Sequence, residues 1–182
     1  MKLIMFDIDG TIIDSVNTDD ECFIKTFNHL HNIDLTNTDW NTFKNVTDAG
    51  LTIEIFKKFY NRLPHKEEIV AIKTHIYQLL KSKEQEITEI KGSLSFINSI
   101  SKISGFEVAF ATGGWKHTAE LKCNSVGLNL NKFIFKSSDN HFSRTKIIEV
   151  VIKEALTKNN LNYFESVFYF GDGLWDLKRT KH

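Results

Sequence analysis

Four short apolar runs constrain this chain more than any other feature: Leu3–Phe6, Phe106–Ala111, Phe133–Phe135 and Val167–Phe170. Each is too brief and too continuously apolar for an amphipathic surface helix, and each suits a strand buried on both faces. Stretches of helical spacing lie between them. Leu94, Ile97, Ile100 and Ile103 form one, Ala119 to Val126 a second, and Ile147, Ile148, Val151, Ile152, Ala155 and Leu156 a third. Strand alternating with helix predicts an α/β fold built on a parallel sheet.

The segment from about Val16 to Thr88 departs from that alternation. It carries helix-like stretches over roughly Asp19–His31, Asp39–Lys44, Thr52–Arg62 and Lys66–Glu86, and no convincing strand. Pro64, the sole proline, falls between the last two, where a helix start tolerates it. The segment reads as an inserted helical bundle, with Phe23, Phe27, Phe43, Phe56 and Phe59 as packing anchors; a long amphipathic arm for a partner is the alternative. A length of 182 residues, 41% hydrophobic, holds one core domain plus such an insertion and is too short for two full domains.

Charge and cysteine content narrow the function classes. Lys and Arg number 23 against 23 Asp and Glu, with no long run of one sign, so no footprint for nucleic acid or an anionic membrane surface is present. Asp7 and Asp9 interrupt the opening apolar residues before a signal-peptide core could form, and no stretch reaches the roughly 20 apolar residues of a membrane span. Cys22 and Cys123 are expected to be free thiols in a reducing, cytoplasmic setting.

The chemistry-bearing residues gather at the ends of the predicted strands. Asp7-Ile8-Asp9-Gly10-Thr11 follows the first, placing two carboxylates where parallel sheets bind ligands; alone, the pattern equally suits an Asx turn. Thr112-Gly113-Gly114 ends the second strand and offers a hydroxyl and open backbone N–H groups just before a helix, suited to a phosphoryl oxygen or simply to a strand-to-helix turn. Lys146, in Ser143-Arg144-Thr145-Lys146, opens the next helix as a cation near these acids, although most lysines are solvated. Gly171-Asp172-Gly173-Leu174-Trp175-Asp176 follows the fourth strand with two further carboxylates, which could instead cap a helix.

Taken in this order and at these strand ends, the four motifs resemble those of the haloacid dehalogenase-like superfamily, of the phosphoglycolate phosphatase or β-phosphoglucomutase-like type with a helical cap. The resemblance implies a Rossmann-like core over residues 1–14 and 91–182 and a cap over 15–90. Val46-Thr47-Asp48-Ala49-Gly50 resembles the loop such caps lower over the substrate, while an N-cap at Asp48 is its plainer reading. Carried over by position, the resemblance makes Asp7 the nucleophile that forms an aspartyl-phosphate, and Asp9 the acid and base. Thr112, Gly113 and Lys146 would bind the phosphoryl group. Magnesium would be held by Asp7, the Asp9 carbonyl and Asp172, with Asp176 behind them orienting waters or Lys146. A cation is needed because each like-charge contact at 4 Å costs about 4 kcal/mol at an effective dielectric near 20.

The implied activity is hydrolysis of a small phosphorylated metabolite. The acid at Asp9 disfavours dehalogenation, whereas phosphoryl transfer as in sugar phosphomutases, phosphonate cleavage, and a catalytically weak relative that binds a ligand or partner remain alternatives. After Asp176 come only Leu177-Lys178-Arg179-Thr180-Lys181-His182, where relatives continue into another strand and helix. The expectation at this end is a truncated chain, a disrupted gene product, or a homo-oligomer covering the open sheet edge.

Overall fold

A computed structural model describes residues 1–173. At its centre is a parallel sheet of four strands in the order β5-β4-β1-β6, formed by β1 (Lys2–Phe6), β4 (Phe106–Ala111), β5 (Ile134–Lys136) and β6 (Ser166–Phe170). Phe6 lies level with Phe110 on one side and Phe170 on the other, so the carboxyl ends of these three strands coincide. Alternation along β1 sends Leu3 and Met5 to one face and Ile4 and Phe6 to the other. The first pair packs with Ala109 and Ala111 against Ile147, Val151 and Ala155 of α6 (Arg144–Lys158). The second pair meets Val108, Phe110, Ile97 of α4 (Ser93–Ile100), and Ala119 and Cys123 of α5 (Lys116–Ser125). Helices on both faces cover the apolar residues of β1 and β4, whereas in β6, expected from its apolar run to be buried on both faces, Val167, Phe168 and Phe170 stay exposed. Rossmann-like architecture is thus present, as the alternation of apolar runs predicts.

Between β2 (Ile13–Asp14) and β3 (Thr88–Glu89), which pair antiparallel as a narrow stalk, the chain forms α1 (Val16–His31), α2 (Asp48–Tyr60) and α3 (Lys66–Ser82). Two of the predicted helical stretches change character. Residues 39–44 make only a single 3-10 turn at Trp40–Thr42, and the far end of the last stretch closes as another at Glu84–Glu86. Asn32 and Asn61 end α1 and α2 in the left-handed conformation, a backbone state asparagine tolerates better than most residues. Phe23, Phe27 and Phe56 are buried with Ile55, Ile72 and Leu80, whereas Phe59, expected as an anchor, is 46% exposed. It shares the helical face of Ile55 and Phe56 but stands one turn further on, at the end of α2 and beyond the buried cluster. Trp115 and Leu121 of the core complete this cluster, so the helical segment and the sheet domain share apolar packing.

Cys22 and Cys123 are buried free thiols, raised to about 11 and about 12 by burial. No helix among the described residues is long and apolar enough to cross a membrane.

Candidate active site

Asp7 is the first residue beyond β1, 2% exposed, and its N–H donates to the Phe170 carbonyl at 2.8 Å. That bond holds it level with Gly171 and Asp172 at the end of β6. Its Oδ1 accepts from the Ile8 N–H at 2.8 Å and its Oδ2 pairs with Arg144 Nη1 at 2.9 Å. A tight turn follows, in which Gly10 donates to Ile13 and adopts φ +73°. A Cβ built on Gly10 would fall 2.1 Å from Asp172 Oδ2, so the missing side chain is what lets that carboxylate lie over the turn. Burial pushes Asp172 above the usual carboxylate range, with Asp9 adding to the rise and Arg144 opposing it.

From the next strand, Thr112 is 1% exposed and its N–H is fixed on the Lys136 carbonyl at 3.1 Å. Its Oγ1 accepts from the Gly114 N–H at 3.1 Å, which leaves the hydroxyl proton to be donated onward. A Cβ at 113 would meet Arg144 Nη2 at 2.8 Å and push that guanidinium away, so glycine here leaves Arg144 its place.

One cavity of about 160 Å³ gathers Asp7, Asp9, Thr112, Gly113, Arg144 and Asp172 from the core, under Asp19, Asp20 and Asp48 from the helical segment. Asp48 reaches across to the core twice: its N–H donates to the Gly113 carbonyl at 2.9 Å, and its Oδ2 accepts from the Trp115 N–H at 2.8 Å. The N-cap of α2 is Thr47, not Asp48, its Oγ1 accepting from Gly50 while its hydroxyl donates to the Phe142 carbonyl. Burial lifts Asp48 to about 6 despite Lys122 and the Trp115 N–H. Trp115 itself is buried in apolar packing and does not line the cavity.

The expectation for Lys146 is corrected by its placement. Lys146 lies outside this cavity, more than half exposed, with its Nζ on Glu149 at 2.7 Å. Arg144, 6% exposed, stands at the cavity instead and also reaches the Tyr169 hydroxyl at 3.5 Å. Two residues turn a helix by about 200°, so the two cations cannot share a face. The signal was present in the sequence: Arg144 is in phase with the Ile147, Ile148, Val151 and Ala155 stripe, whereas Lys146 opposes it.

Sequence reasoning passed over Lys122 entirely. On α5 it is 2% exposed, with Nζ 2.5 Å from Asp9 Oδ1 and 2.7 Å from Asp19 Oδ2. Burial alone would discharge it, but Asp19 and Asp9 reverse that and hold it protonated. Burial likewise raises Asp9, yet Lys122, Ser15 and Asp19 outweigh it and keep Asp9 below its usual range; Asp19 goes the other way, lifted by burial to about 7.

For a metal, the donors on hand are the Asp7 and Asp172 carboxylates and the main-chain oxygen of Asp9 in the same turn, all oxygen, as a hard divalent cation prefers. No cage of three or more acidic, His or Cys side chains forms among the described residues, so water and substrate oxygens would complete such a shell. Asp176 lies outside the described residues.

The family model for haloacid dehalogenase-like hydrolases matches residues 4–182. Among solved structures, a hydrolase from Pseudomonas syringae is similar at TM-score 0.74 and 19% identity, over 97% of this chain and 78% of the other. CbbY from Rhodobacter sphaeroides, solved in complex with phosphate, is similar at TM-score 0.70 and 19% identity, over 97% and 80%. A family IA hydrolase from Entamoeba histolytica gives TM-score 0.67 and 14% identity, over 97% and 78%. No curated protein matches the chain. With the family model spanning nearly its whole length, this chain belongs to the haloacid dehalogenase-like hydrolases.

Proposed function

We propose that the protein is a magnesium-dependent phosphohydrolase that releases phosphate from a small phosphomonoester through an aspartyl-phosphate. The observation that carries this reading is the Asp7 carboxylate, buried at a strand end and oriented by Arg144 in a cavity also walled by Thr112, Gly113 and Asp9. A carboxylate so placed is a nucleophile for phosphorus, and the Arg144 fork, Thr112 hydroxyl and Gly113 N–H suit the charge on the equatorial oxygens. Asp9, held as a carboxylate by Lys122 before substrate binds, would take up a proton as the phosphate's negative charge enters beside it, give that proton to the departing ester oxygen, and take one back from the water that cleaves the aspartyl-phosphate. Asp7, Asp172 and the Asp9 carbonyl would hold magnesium, which when bound supplies positive charge against the phosphate and the surrounding acids. The test is phosphate release from a panel of small phosphomonoesters; transfer of phosphate between sugars without release to water would favour the phosphomutase alternative instead.

Two results should accompany that activity. Chelation by EDTA is expected to abolish turnover and added magnesium to restore it, and Asp172→Ala to raise the magnesium requirement more than Asp176→Ala does. The reverse ranking in metal titrations would exchange the two roles. Second, the helical segment presents Asp19, Asp20 and Asp48 to the substrate side, together with Trp40, Val16 and Leu51. A neutral hydroxylated leaving group fits such a wall better than a carboxylate or a second phosphate. Glycerol phosphate is expected to exceed phosphoglycolate roughly tenfold in kcat/KM; the opposite order would contradict this assignment of the wall.

A further inference from the structure

We propose that Lys122 is a positioning residue that anchors one oxygen of Asp9 and thereby aims the other at the ester oxygen of the substrate. This inference rests on the phosphohydrolase reading and adds to it a residue outside the four motifs. Three observations meet on Asp9. Its Oδ1 is gripped from two directions, by Lys122 Nζ at 2.5 Å and by the Ser15 hydroxyl at 2.7 Å. Its Oδ2 borders the Thr112–Gly114 turn, where a methyl group built on Gly114 would come 3.5 Å from both this atom and Thr112 Oγ1. Oδ2 is therefore the oxygen directed at the wall where the phosphoryl group is expected. Finally, the grip is fixed in its turn, because Asp19 Oδ2 lies 2.7 Å from Lys122 and 2.8 Å from Ser15 Oγ.

The arrangement has a structural logic that ordinary packing does not explain. Lys122 is one of the largest wholly buried side chains in the protein, and an apolar residue at that point of α5 would fill the volume without burying a charge. What the lysine adds is direction. A carboxyl group free to rotate about its Cα–Cβ and Cβ–Cγ bonds samples several orientations, and general acid catalysis needs one of them at the moment the P–O bond breaks. Lys122 belongs to the core and Asp19 to α1, so the lysine that grips Asp9 is itself held by the helical segment.

The test separates this role from a structural one by the leaving group. A p-nitrophenolate departs without needing a proton, whereas an alkoxide departs poorly without one. The quantity to compare is kcat/KM, which covers the steps through departure of the leaving group, for p-nitrophenyl phosphate and for an alkyl phosphate turned over by the unaltered protein. Lys122→Met is expected to lose roughly 100-fold on the alkyl ester and less than about fivefold on the aryl ester. Lys122→Arg should recover part of the alkyl activity. Ser15→Ala, which removes the second donor to Oδ1 with little change of volume, should show the same selective loss to a smaller degree, and it serves where Lys122→Met does not fold. Equal losses on both esters in Lys122→Met, or in Ser15→Ala if that variant alone folds, would overturn the proposal while leaving the phosphohydrolase reading intact. Absence of phosphate release from either ester by the unaltered protein, with magnesium present, would overturn the reading itself and this inference with it.

Discussion

Asp7→Asn is expected to lower phosphate release by roughly 10⁴-fold or more while the protein stays folded. An amide nitrogen or oxygen does not attack phosphorus as a carboxylate does, and the substitution changes almost no volume. The asparagine oxygen can still accept from Arg144, so the ion pair becomes a hydrogen bond rather than leaving the guanidinium facing apolar surface. The check is phosphate release together with intact mass after acid quenching: the unaltered protein should carry a phosphoryl adduct during turnover and the variant none. Asp9→Asn should also be severely impaired, through loss of the proton rather than of the nucleophile. Comparable turnover by Asp7→Asn would remove the covalent intermediate and leave a metal-activated water as the attacking group.

The second large effect distinguishes two neighbouring cations. Arg144→Met is expected to cost on the order of 10³-fold in kcat/KM, as removal of an arginine that stabilises phosphoryl transfer does elsewhere. Lys146→Met, on the exposed face beside Glu149, should stay within about twofold, the scale of a surface ion pair of little energy. Arg144→Lys should fall between, since a lysine supplies the charge but not the planar fork that can hold Asp7 and a phosphoryl oxygen together. Steady-state kinetics on the three variants decide the matter. A larger loss from Lys146→Met than from Arg144→Met would return the phosphate-binding role to the position that the sequence reading favoured.

That pair of residues shows where reading the chain succeeds and where it stops. The four strands, the helices between them and the helical insertion were legible because burial writes a period into the sequence, continuous apolar runs for strands such as β1 and β4 that helices cover and a 3.6-residue repeat for helices packed on one side, although the apolar run of β6 stays exposed at Val167, Phe168 and Phe170. The placing of Asp7, Asp9, Thr112, Gly113 and Asp172 around one cavity was legible for a related reason. Residues just past the ends of parallel strands converge wherever the strands end level, as β1, β4 and β6 do at Phe6, Phe110 and Phe170. Arg144 could have been recovered by following the apolar stripe of α6, whereas motif order alone pointed to Lys146. Lys122 and Asp19 were beyond such reasoning. They stand 103 positions apart, and a buried lysine reads in sequence like any solvated one. Only the tertiary structure, by bringing Asp19 of α1 and Lys122 of α5 together beside the turn that carries Asp9, desolvates these charges together and so decides that they act on one carboxylate.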